Sequence, residues 1–387
     1  MTTPVFGTEE QVYVKTETTF DTFAAFVSGD SLCVTKLSIS PVLPFEESKE
    51  KCGDPSLRNE FKGTQGGTWS IEWEILTNAV GTAPQGDAII EAAAGGVFGS
   101  NVYALTTTLR SLQIGHKVGD SFFEVVNGAW VTKLEVVREE NGAAKIIAEG
   151  GFASYAFYKG VINISTVAVG ASATLIPLAA GDARKIRSGS DGARVLVTFT
   201  GETPSVQVHT ITAVDYTANT ITVTPGTVSG GTIPANAAVN ISVAAFTESG
   251  TTLDKTSDDL TIAGTSIGTI SYKASLETGI HALDKESTKN RASRLSSGKR
   301  TVTGELSGYF LDENARLSTD AWEANLIAIN MRLGVSTAGK HFEIKDPNAR
   351  IEVFSIEIPE AEETPFTATW KSRFNAVAND ERTYEVD

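Results

Sequence analysis

Cysteine is nearly missing from this chain: Cys33 and Cys52 are the only two among 387 residues. They cannot make a disulfide framework, and a reducing site of synthesis fits; a single Cys33–Cys52 bond is the one pairing left open. Basic residues are also scarce, 32 Lys and Arg against 47 Asp and Glu, for a formal net charge of −15 and a pI near 4.8. That balance argues against a surface made to grip nucleic acid, since phosphate binding needs clustered Lys and Arg. It leaves room for a protein that nucleic acid must pass without sticking. No run of about 18 apolar residues occurs, so no membrane-spanning helix is expected. The opening "MTTPVFGTEEQVYV" lacks a basic stretch followed by an apolar one, so no signal peptide is expected.

Patterns that carry chemistry are missing too. The histidines His116, His209, His281 and His341 are scattered, with no second His or Cys at metal-ligand spacing. His281, Asp284 and Ser287 fall together in "HALDKES", but a triad needs side chains converging from separate elements, not neighbours in one polar loop. No Walker loop or GxGxxG opens a helix. Asp191-Gly192 reads as a turn, because the other oxygen ligands of a calcium loop are lacking. Glu72 with Glu74 reads as the solvated face of a strand rather than a glycosidase pair. The expectation is a protein that is not an enzyme and holds no cofactor or metal.

What is present is β structure, signalled by abundant Thr, Val, Ile, Gly and Ser with turn residues at short intervals. The length predicts two or three domains. Ser31–Ser40 reads as a strand, Phe45–Gly67 as a long charged loop, and Thr68–Leu76 as a strand with Ile71, Trp73 and Ile75 on one face. The same order recurs far downstream. Ile267–Glu277 reads as a strand, Thr278–Arg300 as a long charged loop, and the next strand sets Val302, Gly304, Leu306 and Phe310 on one face.

A helix follows in each half: Gly86–Gly96, with an Asp to cap it and a glycine pair to end it, and Ser318–Gly334, with Trp322, Leu326, Ile329 and Leu333 on one stripe. Next comes a hairpin, Phe122–Val137 turning at Asn127-Gly128 and His341–Ile358 turning at Asp346-Pro347-Asn348. The order repeated twice predicts an internal duplication. Residues 160–263 differ: they lack Trp, are poor in charge and read as a small inserted β-barrel or sandwich with its own core. The expected organisation is 1–159, 160–263 and 264–387, mainly β.

Taken together, "QVYVKTETTFDTFAAFVSGDSL", "GTWSIEWEI", "GDAIIEAAAGG", "VVNGAWVTKLEVV" and "GKRTVTGELSGYF" resemble segments of the tail tube, or major tail, proteins of bacteriophages with long non-contractile tails. The resemblance covers the chain outside 160–263. It implies two tandem β-sandwich domains, each with a packed helix, lending strands to a continuous inner barrel. It implies three chains per ring and rings stacked into a hollow tube through which DNA is ejected. Other expected partners are a tape measure protein in the lumen, a tail terminator and tail-tip or baseplate proteins. The expected location is the virion tail, assembled in the bacterial host cytoplasm.

The resemblance also implies that the long loops join rings, with Lys49, Lys51, Arg58, Lys289, Arg291 and Arg294 meeting acidic groups on the next ring; the inserted segment is expected to face outward, since an inward module would block DNA. The channel would be lined by Glu72, Glu74 and Glu305, and further by Glu135 and Glu352, repelling DNA phosphate. Alternation alone is also met by an outer solvated face; the bore is favoured because the family's long loop joins barrel strands. Two other classes stay open: a β-rich surface-array, adhesive or capsid-decoration protein, and a carbohydrate-active enzyme.

Overall fold

The computed structural model describes residues 10–42, 45–47, 60–62, 65–78, 81–139, 142–188, 193–227, 231–247, 250–253, 258–267, 269–283, 292–309, 315–337, 340–357, 365–374 and 381–386. Nearly every alternating stretch is a strand, and the chain is mainly β. The first part holds β1 (Glu10–Thr16), β2 (Ser31–Leu32), β3 (Lys36–Val42), β4 (Phe45–Glu47), β5 (Glu60–Lys62), β6 (Gly66–Glu74) and β7 (Leu76–Thr77). After helix α1 (Asp87–Ala94) come β8 (Val102–Ala104), β9 (Leu112–Val118), β10 (Phe122–Arg138), β11 (Lys145–Phe152) and β12 (Ser154–Lys159). The middle holds β13 (Ile162–Asn163), β14 (Leu175–Pro177), β15 (Ile186–Arg187), β16 (Val195–Phe199), β17 (His209–Asp215), β18 (Thr220–Thr224), β19 (Ala238–Ile241) and β20 (Thr251–Thr252). The last part holds β21 (Asp259–Ile262), β22 (Thr265–Ile267), β23 (Thr269–Glu277), β24 (Ile280–Leu283), β25 (Arg294–Ser297) and β26 (Thr301–Tyr309). Helix α2 (Ala315–Glu323) then leads to β27 (Leu326–Gly334), β28 (His341–Ile356), β29 (Pro365–Ser372) and β30 (Thr383–Val386).

Strand pairing repeats element for element. In the first part an outer sheet runs β2-β1-β9-β10-β12, and in the last part β22-β21-β27-β28-β30. The inner layer runs β3-β6-β11-β10 and, correspondingly, β23-β26-β29-β28. Each repeat is therefore two packed layers around Trp, Ile, Leu and Val side chains such as Trp73, Ile71, Leu306 and Trp370. The second half of β10 also pairs antiparallel with β23, Lys133 opposite Glu277 through Arg138 opposite Tyr272. The two inner layers thus make one run of eight strands, β3-β6-β11-β10-β23-β26-β29-β28. Among the described residues its first and last strands share no pairing, so there the run does not close on itself.

β10 and β28 correct the expected hairpins. Each is a single strand, 17 and 16 residues long, that leaves one layer and enters the other. At Asn127-Gly128 the backbone does not reverse. Gly128 takes φ +60°, its N–H donates to Glu17 Oε1 at 2.8 Å, and the register with β9 shifts between Val126 and Ala129. A positive-φ glycine suits a bulge as well as a turn, and here it bends the strand between sheets. In β28, Pro347 lies where the register with β27 shifts, between Ile329 opposite Asp346 and Ile327 opposite Ala349. A residue without an N–H is tolerated at such an irregularity.

The expected helix over Ser318–Gly334 is also corrected. Helix α2 ends at Glu323, Ala324 turns with φ +57°, and Leu326–Gly334 is a strand with Ile327, Ile329, Met331 and Leu333 buried on alternate positions. Ile329 and Leu333 satisfy both a helical and a strand period, while Ile327 and Met331 satisfy only the latter. In the other helix Gly95 closes α1 in the left-handed region, as the sequence predicts, but the N-cap is Gly86 rather than Asp87. Asp87 instead accepts from Tyr103 Oη at 2.5 Å, and a Cβ on Gly86 would lie 2.7 Å from the Trp73 ring.

The middle segment forms a six-stranded sheet in the order β13-β19-β16-β17-β18-β14. Its core is not its own. Val195, Val197, Phe199 and Ile211 cluster with Tyr13, Phe26, Phe123, Val125 and Tyr158 of the first repeat, so the segment is packed onto the outer sheet. Tyr158 Oη donates to Val239 O and Tyr13 Oη to Ala244 O at 2.8 Å. β21 (Asp259–Ile262) pairs with β27, so the last repeat begins before residue 264.

Candidate assembly surface

The eight-stranded run has two faces. One is core: Ile71, Trp73, Ala148, Leu134, Leu276, Leu306 and Ala368 are buried. The other is set by the residues between them and is polar. Glu72, Glu74, Glu135 and Glu305 all lie on it, but so do Lys36, Lys133, Lys145, Lys273 and Lys371. Pairing sets Lys36 opposite Glu72, Lys145 opposite Glu74, Lys133 between Glu149 and Glu277, and Lys273 opposite Glu305. The expectation of an acidic face is corrected: five lysines stand against Glu72, Glu74, Glu135, Glu149, Glu277 and Glu305, close to electrical balance. Alternation carried this signal for the lysines as much as for the glutamates. Reading only the acidic net charge hid it.

Distances bear the balance out. Lys145 Nζ lies 2.8 Å from Glu72 Oε1, and its hydrogen bond holds the Glu72 carboxyl below the usual range. Glu135 accepts from Lys133 at 2.8 Å and Lys273 at 3.0 Å. Burial pushes Glu135 up, but the two ammonium groups outweigh it and hold the carboxyl low. Glu352 stands at a bulge of β28, between Ile351 opposite Trp370 and Val353 opposite Thr369, and is exposed.

Of the loop residues, Lys49, Lys51, Arg58, Lys289 and Arg291 lie outside the described residues. Arg294 begins β25, exposed, opposite Leu283, in a groove shared with Glu17, Thr18 and Arg110 of the first repeat. The bases of both long loops are two-stranded, β4 with β5 and β24 with β25. Cys33 Sγ accepts from Gln85 Nε2 at 3.8 Å, and Cys52 lies outside the described residues.

Two of the histidines, His116 and His209, stand beside carboxylates. His116 sits 3.0 Å from both Glu10 and Glu124, and His209, fully buried, is 3.1 Å from Glu202. Among the described residues no three His, Cys, Asp or Glu side chains gather as a metal site.

Sequence reasoning missed the strand edges. Along the run, β3 pairs only with β6 and the second half of β28 only with β29, among the described residues. Val42 on the one edge is 51% exposed, and Val353 and Ile356 on the other 54% and 39%. Bare strand edges carrying apolar side chains invite pairing with another chain. Internal pairing across about 140 residues, as between β10 and β23, leaves no local pattern from which these edges could have been read.

No protein-family model matches this chain, and no curated protein matches it as a relative.

Proposed function

We propose that this protein is the structural subunit of a hollow tail tube in a bacteriophage with a long non-contractile tail, acting mechanically and without chemistry of its own. One observation carries the reading. Two repeats of one sandwich join edge to edge through β10 and β23, and among the described residues the eight-stranded run so formed keeps one bare edge at each end. A chain built this way extends by adding copies of itself, and a closed ring removes both edges. With each chain supplying two equivalent positions, three chains make a ring of pseudo-six-fold character, and rings stack into the tube.

The polar face of the run then lines the bore. Its lysines and glutamates neutralise one another, leaving little field of either sign to hold passing DNA. The remaining partners follow from the same reading: a tape measure protein in the lumen during assembly, and terminator and tip proteins at the tube ends. The location is the virion. No helix among the described residues is long and apolar enough to cross a membrane.

Negative-stain microscopy of the purified chain, with mass measurement of isolated rings, tests the reading. Hollow rods and rings of three chains are expected. Rings of six chains would mean that the repeats do not occupy equivalent positions, and compact particles at every concentration would overturn the tube in favour of another β-rich surface protein.

A further inference from the structure

The joint inside the chain is a pattern for a joint between chains. Aligned by their pairings with β11 and β29, Val353, Phe354, Ser355 and Ile356 of β28 stand where Lys133, Leu134, Glu135 and Val136 stand in β10. Aligned by their pairings with β6 and β26, Ile39, Ser40, Pro41 and Val42 of β3 stand where Ala274, Ser275, Leu276 and Glu277 stand in β23. The β10–β23 register puts Lys133 opposite Glu277 and Val136 opposite Ala274. Carried over, it puts Val353 opposite Val42, Phe354 opposite Pro41, Ser355 opposite Ser40 and Ile356 opposite Ile39. The apolar side chains bare at one edge meet apolar side chains at the other. Charge agrees as well: Glu357 comes diagonally beside Lys36, just as Glu135 lies 3.0 Å from Lys273 within the chain.

The helices add a second, independent match. At the internal joint the C-terminal end of α1, with Ala93 and Gly95, faces Arg300 and Glu381 of the other repeat across a cavity of about 290 Å³. By the same pairings, Gln65 takes the place of Arg300 in the first repeat. It lines an open groove of about 320 Å³ with Pro41, Val42, Tyr155 and Phe157. The position therefore calls for the C-terminal end of a helix from a neighbour. Trp322, next to the last residue of α2, is 92% exposed.

We propose that a second copy of this chain joins its β3 edge to the β28 edge in this register, and that Trp322 of one copy seats in the Pro41–Tyr155–Phe157 groove of the next as the anchor of the interface. The partner, a second copy, rests on the tube reading; the register and the anchor rest on the internal joint. Lys159, already stacked 5.0 Å over the rings of Phe122 and Phe157, and Arg187 border the groove and present cations to an indole face. A Trp that fills an apolar pocket at the centre of an interface is the residue type most able to dominate its affinity.

The test uses the full chain with Cys33→Ser and Cys52→Ser. Ser40→Cys with Ser355→Cys, oxidised after assembly, is expected to give covalent multiples of the chain on a non-reducing gel. Ser38→Cys with Ser355→Cys, two residues out of register, is expected to give far less. Trp322→Ala should raise the concentration at which assembly begins by about tenfold or more, with an unchanged circular dichroism spectrum because the side chain is in water in the single chain. Assemblies that cross-link through the out-of-register pair, or through neither, overturn the register while the tube reading stands. Assembly of Trp322→Ala at the parent's concentration overturns the anchor alone. A parent chain that never assembles overturns both.

Discussion

Trp370 lies across its strand partner Gly304, so close that a Cβ there would come within 2.1 Å of the indole ring. The matching place in the first repeat holds the same two residue types on exchanged strands, Trp69 beside Gly150. One large and one absent side chain fill the same volume either way, so the two repeats conserve a space and not a residue.

Gly304→Val therefore overfills this layer and is expected to lower unfolding stability by about 1–3 kcal/mol. Adding Trp370→Phe, which shrinks the ring opposite, should recover part of the loss in denaturant melts. Losses that simply add would show that the two side chains do not share the volume.

Arg382 is fully buried and donates to both carboxylate oxygens of Asp346 at 2.6 Å, to Ser275 O at 3.1 Å and to Thr303 O at 3.0 Å. Burial pushes the Arg382 pKa down, but Asp346 outweighs burial and holds it above its ordinary value. Trp370 Nε1 donates to the same carboxylate at 2.7 Å. Arg382→Met leaves that carboxylate buried without its cation and should cost about 3–5 kcal/mol, read from the midpoint of urea unfolding. A loss below about 1 kcal/mol would mean that water reaches Asp346.

Glu17 ties the Gly128 bend to the strand before it. It accepts from Gly128 N at 2.8 Å, Ser111 Oγ at 2.6 Å and Asp21 N at 3.0 Å, yet burial raises its pKa from 4.5 to about 7. The folded state thus holds this proton more tightly than the unfolded chain. Its contribution to stability is full below about 4.5 and is lost as pH rises to about 7, by at most roughly 3 kcal/mol. In Glu17→Gln that slope should vanish when melts are compared from pH 4.5 to 8; equal slopes in variant and parent would contradict the assignment.

On the polar face, Glu72→Lys places a third ammonium between Lys36 and Lys145. A stability loss below about 1 kcal/mol is expected, larger at low salt and reversed by adding Lys145→Glu. Failure of the charge-swapped pair to recover would show that the face is not a set of matched pairs.

The alternation of Ile71, Trp73 and Ile75, or of Val302 and Leu306, was legible in the sequence because a strand with one buried face must show it. Asn127-Gly128 misled because the chemistry that allows a tight turn also allows a bulge; only the strand beyond decides between them. Ser318–Gly334 misled because two of its apolar residues fit both periods. The Trp–Gly exchange erased residue identity at a place where the pairings of the two repeats correspond.

One asymmetry between the repeats has a mechanical outcome. The stretch between α1 and β9 carries β8, which pairs with β30 of the other repeat, whereas α2 and β27 are linked by Ala324 and Asn325 alone. The corresponding edge of β12 is already taken by β15. The seam inside a chain is therefore covalent and clasped, while a seam of the proposed kind between chains would have neither support. Under shear or stretching, an assembly of this protein would alternate strong seams with weak ones and would shed whole chains, never half of one.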